Sequence, residues 1–168
     1  MAKIEFGTEV SQLQRDGFDL ARADEPDFDL ARWHLKTARD VVYTSSIRLK
    51  SDIFYSIVAR DLGIIDVREG LYLYDKKGIP EDETLGYVNT GITSVRLSYD
   101  GLSQVLRCQR EELDKRGWVE SVNNNIFLAE NDLDRACRAA VMLSEAAVSD
   151  ETIAWNKPVP PALDYQRF

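Results

Sequence analysis

The feature that most constrains the fold is a helical pattern of apolar residues running without interruption from residue 29 to about residue 62. Asp29 suits the cap before a helix, and Gly63 suits the position that follows one. One helix of this length would extend about 50 Å, which exceeds the diameter of a compact domain of this size. We therefore expect a break near residues 44–46, where hydroxyl side chains compete for backbone hydrogen bonds, or a helix that reaches a neighbouring molecule.

The same pattern predicts which side of this helix is buried. Apolar side chains recur at helical spacing from Leu30 and Trp33 onwards. Four of them are predicted to lie in the core: Val42, Leu49, Ile53 and Ile57.

The rest of the chain mixes helical and strand patterns. Residues 64–99 alternate in a way that favours strands, especially at 71–74 and 92–99. Helical spacing returns at 102–117, where Gly117 is a stop, and again at about 131–148. Between them, the asparagines at 123–125 separate two apolar runs and predict a β-hairpin over 118–128. The predicted fold is mainly α-helical (α+β), a helical bundle with a small β-hairpin.

Charge and proline divide the chain into three parts. Residues 1–28 are expected to form an extended acidic arm, residues 29–155 a single helical domain, and residues 156–168 an extended, proline-rich tail. The tail offers four apolar side chains as a candidate interface: Val159, Leu163, Tyr165 and Phe168. They are expected to dock on another subunit or, alternatively, to fold back over the chain's own helices.

Composition sets the broad class. The 168 residues are 44% hydrophobic and 30% charged, and the formal net charge is −8. No apolar run approaches the length of a membrane span. We expect no signal peptide, because no apolar stretch follows Lys3. Cys108 and Cys137 form no C-x-x-C pair and are expected to be reduced thiols. We expect a cytoplasmic protein, or one built into an assembled particle.

Motifs for catalysis, cofactors or metals are missing from the sequence. His34 is the only histidine, which excludes a two-histidine metal face. No nucleophile elbow, P-loop or dinucleotide fingerprint occurs. We expect no cofactor, no metal and no catalytic residue. Whether the protein is an enzyme stays open, and the missing motifs favour a non-enzymatic function.

A basic segment stands out in this acidic chain. Residues 31–60 carry six basic and two acidic groups. Arg32, Lys36 and Arg39 fall on one helical stripe that suits phosphate or an acidic partner. The alternative is a solvated face paired with acidic residues at 16–29.

A second basic pair is tied to a family resemblance. Residues 100–128, a helix ending in a charged turn with Gly117 and then the predicted hairpin, are similar to a winged helix-turn-helix module. The resemblance implies a DNA-binding regulator in which Arg107 and Arg110 face the groove.

The function predicted from the sequence is a non-enzymatic protein–protein interaction or a structural subunit of a larger assembly, such as a phage-type connector or adaptor. Its partner would be another protein or a second copy of the chain, with nucleic acid disfavoured by the charge and no membrane contact. The alternatives are a winged-helix DNA-binding regulator and a small helical enzyme with an unrecognised site.

Overall fold

A computed structural model describes residues 4–148 and Phe168. The described residues form six helices and no strand, and 87% of them are helical. The helices are α1 (Thr8–Arg22), α2 (Phe28–Ser45), α3 (Arg48–Lys77), α4 (Glu81–Cys108), α5 (Arg110–Arg116) and α6 (Val119–Val148). The mainly helical prediction is confirmed.

Local chemistry explains several helix ends. The Asp27 side chain accepts a hydrogen bond from the backbone N–H of Leu30 at 2.9 Å, so Asp27, rather than Asp29, caps α2. Gly78 and Gly117 end α3 and α5 with φ of 66°, a left-handed conformation that glycine adopts without strain. The predicted stop at Gly117 is therefore confirmed.

The helices run up and down around a central α3–α4 hairpin. α2 packs on α3, α1 packs on α2, and α6 packs mainly on α4. The short α5 turns the chain between α4 and α6. Consequently the links α2–α3 and α4–α6 lie at one end of the bundle, and the links α1–α2 and α3–α4 at the other.

Small residues let α3 and α4 approach closely. Ser56, Gly63 and Gly70 recur every seven residues on α3, and Thr84, Gly91 and Ser98 do so on α4; all six are buried. A Cβ at Gly91 would lie 2.5 Å from the carbonyl oxygen of Gly63 and 2.4 Å from Val67 Cγ2. We call these six positions the α3–α4 seam.

The seam corrects two expectations. Gly63 does not end a helix: it lies inside α3 and faces Gly91. The strands predicted within 64–99 are wrong, because these residues form the second half of α3 and most of α4. Burial there depends on backbone proximity at small residues, which an alternation of polar and apolar residues does not reveal.

The predicted long helix breaks where the hydroxyl residues suggested. α2 ends at Ser45, and Ile47 precedes α3 with an extended backbone. Val42, Leu49, Ile53 and Ile57 are all buried, as predicted, although Val42 packs with α1 while the other three pack with α4, α5 and α6.

Two further expectations are corrected. The predicted hairpin over 118–128 is helical, because Val122, Ile126 and Ala129 form the inner stripe at the start of α6. The asparagines at 123–125 lie within that helix. The N-terminal segment is not an extended arm: α1 occupies Thr8–Arg22, and Gly17 brings it against Ala31 and Leu35 of α2.

None of the helices in the described part of the chain is long and apolar enough to span a bilayer.

Candidate functional site

The outward side of α2 holds two large aromatic side chains in solvent. Trp33 is 56% exposed and Tyr43 is 78% exposed. With Asp29, Lys36 and Asp40 they follow one another at intervals of four and three residues, which keeps them on one side of the helix. All five side chains are exposed, and we call this set the α2 outer face.

The α2 outer face is exposed because the helix buries a different stripe. That stripe consists of Phe28, Ala31, Leu35, Ala38 and Val42. α1 and α3 pack against those sides of α2. Trp33, which the sequence pattern grouped with the core, therefore points away from it.

Exposed apolar surface continues beyond the end of α2. Ile47, in the link to α3, and Tyr55, on α3, are both exposed. The Arg39 guanidinium lies 5.8 Å from the centroid of the Tyr55 ring and joins the two helices. Trp, Tyr and Arg are the residues that contribute most at protein–protein interfaces, so this composition suits contact with a protein.

The predicted basic stripe is mostly engaged within the chain. Arg32 binds Asp66 on α3 at 2.7 Å and also contacts Glu69. Burial alone would lower the pKa of Arg32, but hydrogen bonds and charges from Glu69 and Asp66 outweigh it and raise that pKa. Arg39 Nη2 lies 3.0 Å from Asp40, while Lys36 is exposed. Two of the three basic groups thus hold acidic groups of their own chain.

A buried polar cluster joins α1, α3 and α6. Arg60 donates to one oxygen of the fully buried Asp61 at 2.9 Å, and Gln14 donates to the other at 3.2 Å. Burial raises the pKa of Asp61, opposed by the charge of Arg60. Arg60 Nε lies 3.8 Å from Asp132, whose pKa burial also raises. Arg135 lies 3.6 Å from Asp132 and supplies a second cation, so the cluster joins the three helices through ion pairs and the hydrogen bond from Gln14.

A groove of about 340 Å³ separates the start of α3 from the end of α4. Its walls include Arg48, Tyr55, Gln104 and Cys108. Both cysteines are free thiols, Cys108 exposed and Cys137 half-buried. Through Tyr55 the groove adjoins the aromatic surface that begins on α2.

Residues 4–148 and Phe168 contain no group of three His, Cys, Asp or Glu side chains arranged to hold a metal ion. His34 lies half-buried on α2, with its ring centroid 5.1 Å from that of Trp33 in an edge-to-face contact. The histidine therefore packs beside the α2 outer face.

The arginines of the winged-helix resemblance lie at the junction of α4 and α5. Arg107 and Arg110 are both exposed, and Arg110 Nε lies 3.3 Å from Asp114. The residues expected to form the wing belong to α6. The two arginines thus share one corner of the bundle, without the hairpin that the resemblance implies.

The candidate interface of the tail is described only at its last residue. Val159, Leu163 and Tyr165 lie outside the described residues. Phe168 is buried among apolar side chains of α3, α4 and α6, and the Arg135 guanidinium lies 5.0 Å from its ring centroid. At Phe168, the chain contacts its own core.

No protein-family profile, curated protein or solved structure shows significant similarity to this chain. The function is therefore inferred from the geometry of the described residues. The sequence analysis did not identify the α2 outer face as a candidate site. Its signal was present in the intervals of four and three residues that link Asp29, Trp33, Lys36, Asp40 and Tyr43.

Proposed function

We propose that the protein is a non-enzymatic subunit that acts by binding another protein chain through the α2 outer face. The single observation that supports this most strongly is the exposure of Trp33 and Tyr43 on one side of a well-packed helix. Moving two such rings from water into a protein interface is strongly favourable, because it removes a large apolar area from water. Their charged neighbours, Lys36 and Asp40, supply the polar surroundings that protein interfaces commonly have.

The distribution of exposed apolar side chains along the chain supports this proposal. Five of the nine large apolar side chains exposed among the described residues lie between residues 30 and 55, namely Leu30, Trp33, Tyr43, Ile47 and Tyr55. Scattered exposed apolar residues are normal on a protein surface, but a concentration along α2, the link that follows it and the start of α3 indicates a binding surface. Neither the DNA-binding nor the enzymatic alternative has a comparable observation in its favour.

The test compares two double variants in extracts of cells that make the protein. Trp33→Lys/Tyr43→Lys changes the α2 outer face, while Leu97→Lys/Phe127→Lys changes two exposed apolar residues elsewhere. We expect the wild type and the control to sediment as a species larger than one chain, and the first variant to sediment as a single chain. Circular dichroism should show the same helix content in all three.

Two results would count against the proposed function. One is a wild-type protein that sediments in the extract as a lone chain. The other is a larger species that both double variants retain, since its assembly would then not depend on the α2 outer face.

A further inference from the structure

We propose that the partner of the α2 outer face is a second copy of this chain, paired antiparallel about a two-fold axis level with Ala38. This inference rests on the proposed function and specifies the partner. A two-fold interface is self-complementary, so residue i of one copy meets residue j of the other and residue j meets residue i. Four of the five residues of the α2 outer face satisfy that requirement, as the pairs Trp33 with Tyr43 and Lys36 with Asp40.

The spacing of residues on the α2 outer face fits antiparallel pairing of two helices. The α2 outer face follows the four-and-three spacing of helices that pack side by side. Antiparallel pairing about Ala38 places Trp33 level with Tyr43 of the second copy. The same symmetry brings Tyr43 level with Trp33, so both exposed rings of each copy are covered at once.

Charge complementarity favours the antiparallel arrangement over the parallel one. In this register Lys36 lies level with Asp40 of the second copy, and the reciprocal contact forms across the axis. Asp40 also contacts Arg39 of its own chain, which lies towards Tyr55 at the edge of the face. Parallel pairing would instead place Lys36 against Lys36 and Asp40 against Asp40, which like-charge repulsion disfavours.

Charges near the two ends of α2 agree with antiparallel pairing. Asp29 lies in the first turn of α2, and Arg48 begins α3 just beyond the extended link that follows α2. Their side chains are 100% and 95% exposed, and their partners in the same chain lie at long distances, Arg32 at 3.5 Å from Asp29 and Asp52 at 3.9 Å from Arg48. Antiparallel pairing therefore brings an acidic group at the start of α2 towards a basic group just beyond the end of α2 in the second copy, twice by symmetry.

Charge reversal tests the register on the purified full-length chain. Lys36→Glu sets a glutamate level with Asp40, and Asp40→Lys sets a lysine level with Lys36, so each single variant replaces attraction by repulsion at two places. We expect each to raise the dimer Kd about tenfold in sedimentation equilibrium. The double variant Lys36→Glu/Asp40→Lys restores opposite charges and should return the Kd close to the wild-type value.

Two further samples complete the design. An equal mixture of the two single variants should form mixed dimers, because the introduced glutamate then lies level with the introduced lysine, and the remaining Asp40 lies level with the remaining Lys36. Trp33→Ala should raise the Kd at least about 30-fold, as expected for a large aromatic side chain that an interface buries. The matched control, Phe127→Ala, removes an exposed ring on α6 and should leave the Kd unchanged.

Several outcomes would overturn the pairing. A purified wild type that stays monomeric at several hundred micromolar excludes it. A dimer that the single reversals leave intact, or that the double variant fails to restore, assigns the contact to another surface or register. If the purified chain is monomeric while the species in cell extracts is large and depends on Trp33 and Tyr43, the proposed function stands and the partner is a different protein.

Discussion

Asp61 shows at the scale of one residue how burial and charge oppose each other in this chain. Its carboxylate is fully buried, and that burial raises its pKa despite the nearby Arg60, Gln14 and Arg22. A carboxyl group with a raised folded-state pKa keeps its proton at pH values where the unfolded chain, with a pKa of about 3.9, has released it. Its contribution to stability is therefore complete below about pH 4 and declines as the pH rises through the folded-state pKa.

Asp61→Asn tests the direction in which the contribution of Asp61 to stability changes with pH. We expect the free energy of unfolding of the wild type, minus that of Asp61→Asn, to be largest near pH 4 and to fall towards pH 7. Urea denaturation at a series of pH values measures the difference. Phe127→Ala, which removes no titratable group from an exposed position, is the control, and its difference should stay constant over the same range. A difference that grows with pH would show that Arg60 outweighs burial at Asp61.

Ile53 gives a second prediction at this scale. Its side chain is completely buried between α3, α4 and α6. Ile53→Asp would place a charge without a partner in an apolar site, which costs several kcal/mol and should prevent folding. Thermal unfolding followed by circular dichroism checks this, and a variant that still unfolds cooperatively near the wild-type temperature would contradict the packing.

The α3–α4 seam is the decisive feature at the scale of helices. Gly91→Ala adds one methyl group where the Gly63 carbonyl oxygen and Val67 leave no space. We expect it to lower the free energy of unfolding by about 1–3 kcal/mol, because the two helices must move apart. Gly86→Ala is the matched control on the same helix: its Cβ would meet nothing within 4 Å, so it should raise stability by about 0.5–1 kcal/mol.

Chemical denaturation of both glycine variants measures these effects. If Gly91→Ala were as stable as Gly86→Ala, the close approach of α3 and α4 would be wrong, and the strand expectation for residues 64–99 would need to be considered again.

The helices show which parts of the fold were predictable from the sequence. α2 and the start of α3 bury stripes at helical spacing, so their core residues and the break between them were predictable. The second half of α3 contacts α2, α4 and α6, and its apolar residues, such as those at 71–74, are not confined to one stripe. Such a segment resembles a strand as much as a helix. The grouping of Trp33 with the core was wrong for a related reason. α2 has apolar residues on two sides, and only tertiary packing decides which side faces water.

The whole molecule is acidic, and this bears on nucleic acid. The formal net charge of −8 repels a phosphate backbone, and Arg32, the first residue of the basic stripe, is held by carboxylates of α3. We expect weak binding, if any, to duplex DNA near physiological salt in a fluorescence anisotropy titration. Tight, salt-sensitive binding that is lost in Arg107→Ala/Arg110→Ala would contradict this and revive the DNA-binding alternative.

Apolar residues have different roles at Phe168 and on the α2 outer face. Phe168 is packed on the core between α3, α4 and α6, whereas Trp33 and Tyr43 point into solvent. We therefore expect Phe168→Ala to lower the free energy of unfolding by about 3 kcal/mol, because it leaves a cavity beside Ala136, Ala139 and Leu143. Trp33→Ala/Tyr43→Ala should change that stability little when measured on the isolated monomer.

Sedimentation separates the two roles. Phe168→Ala should keep the wild-type sedimentation coefficient at temperatures where it is folded, while the variant at Trp33 and Tyr43 sediments as a smaller species. Phe127→Ala, which removes an exposed ring, is the control for both measurements and should affect neither. If Phe168→Ala instead melted like the wild type and sedimented as a smaller species, Phe168 would belong to an interface between chains, because a side chain that leaves the fold unaffected but controls its assembly is buried by a partner.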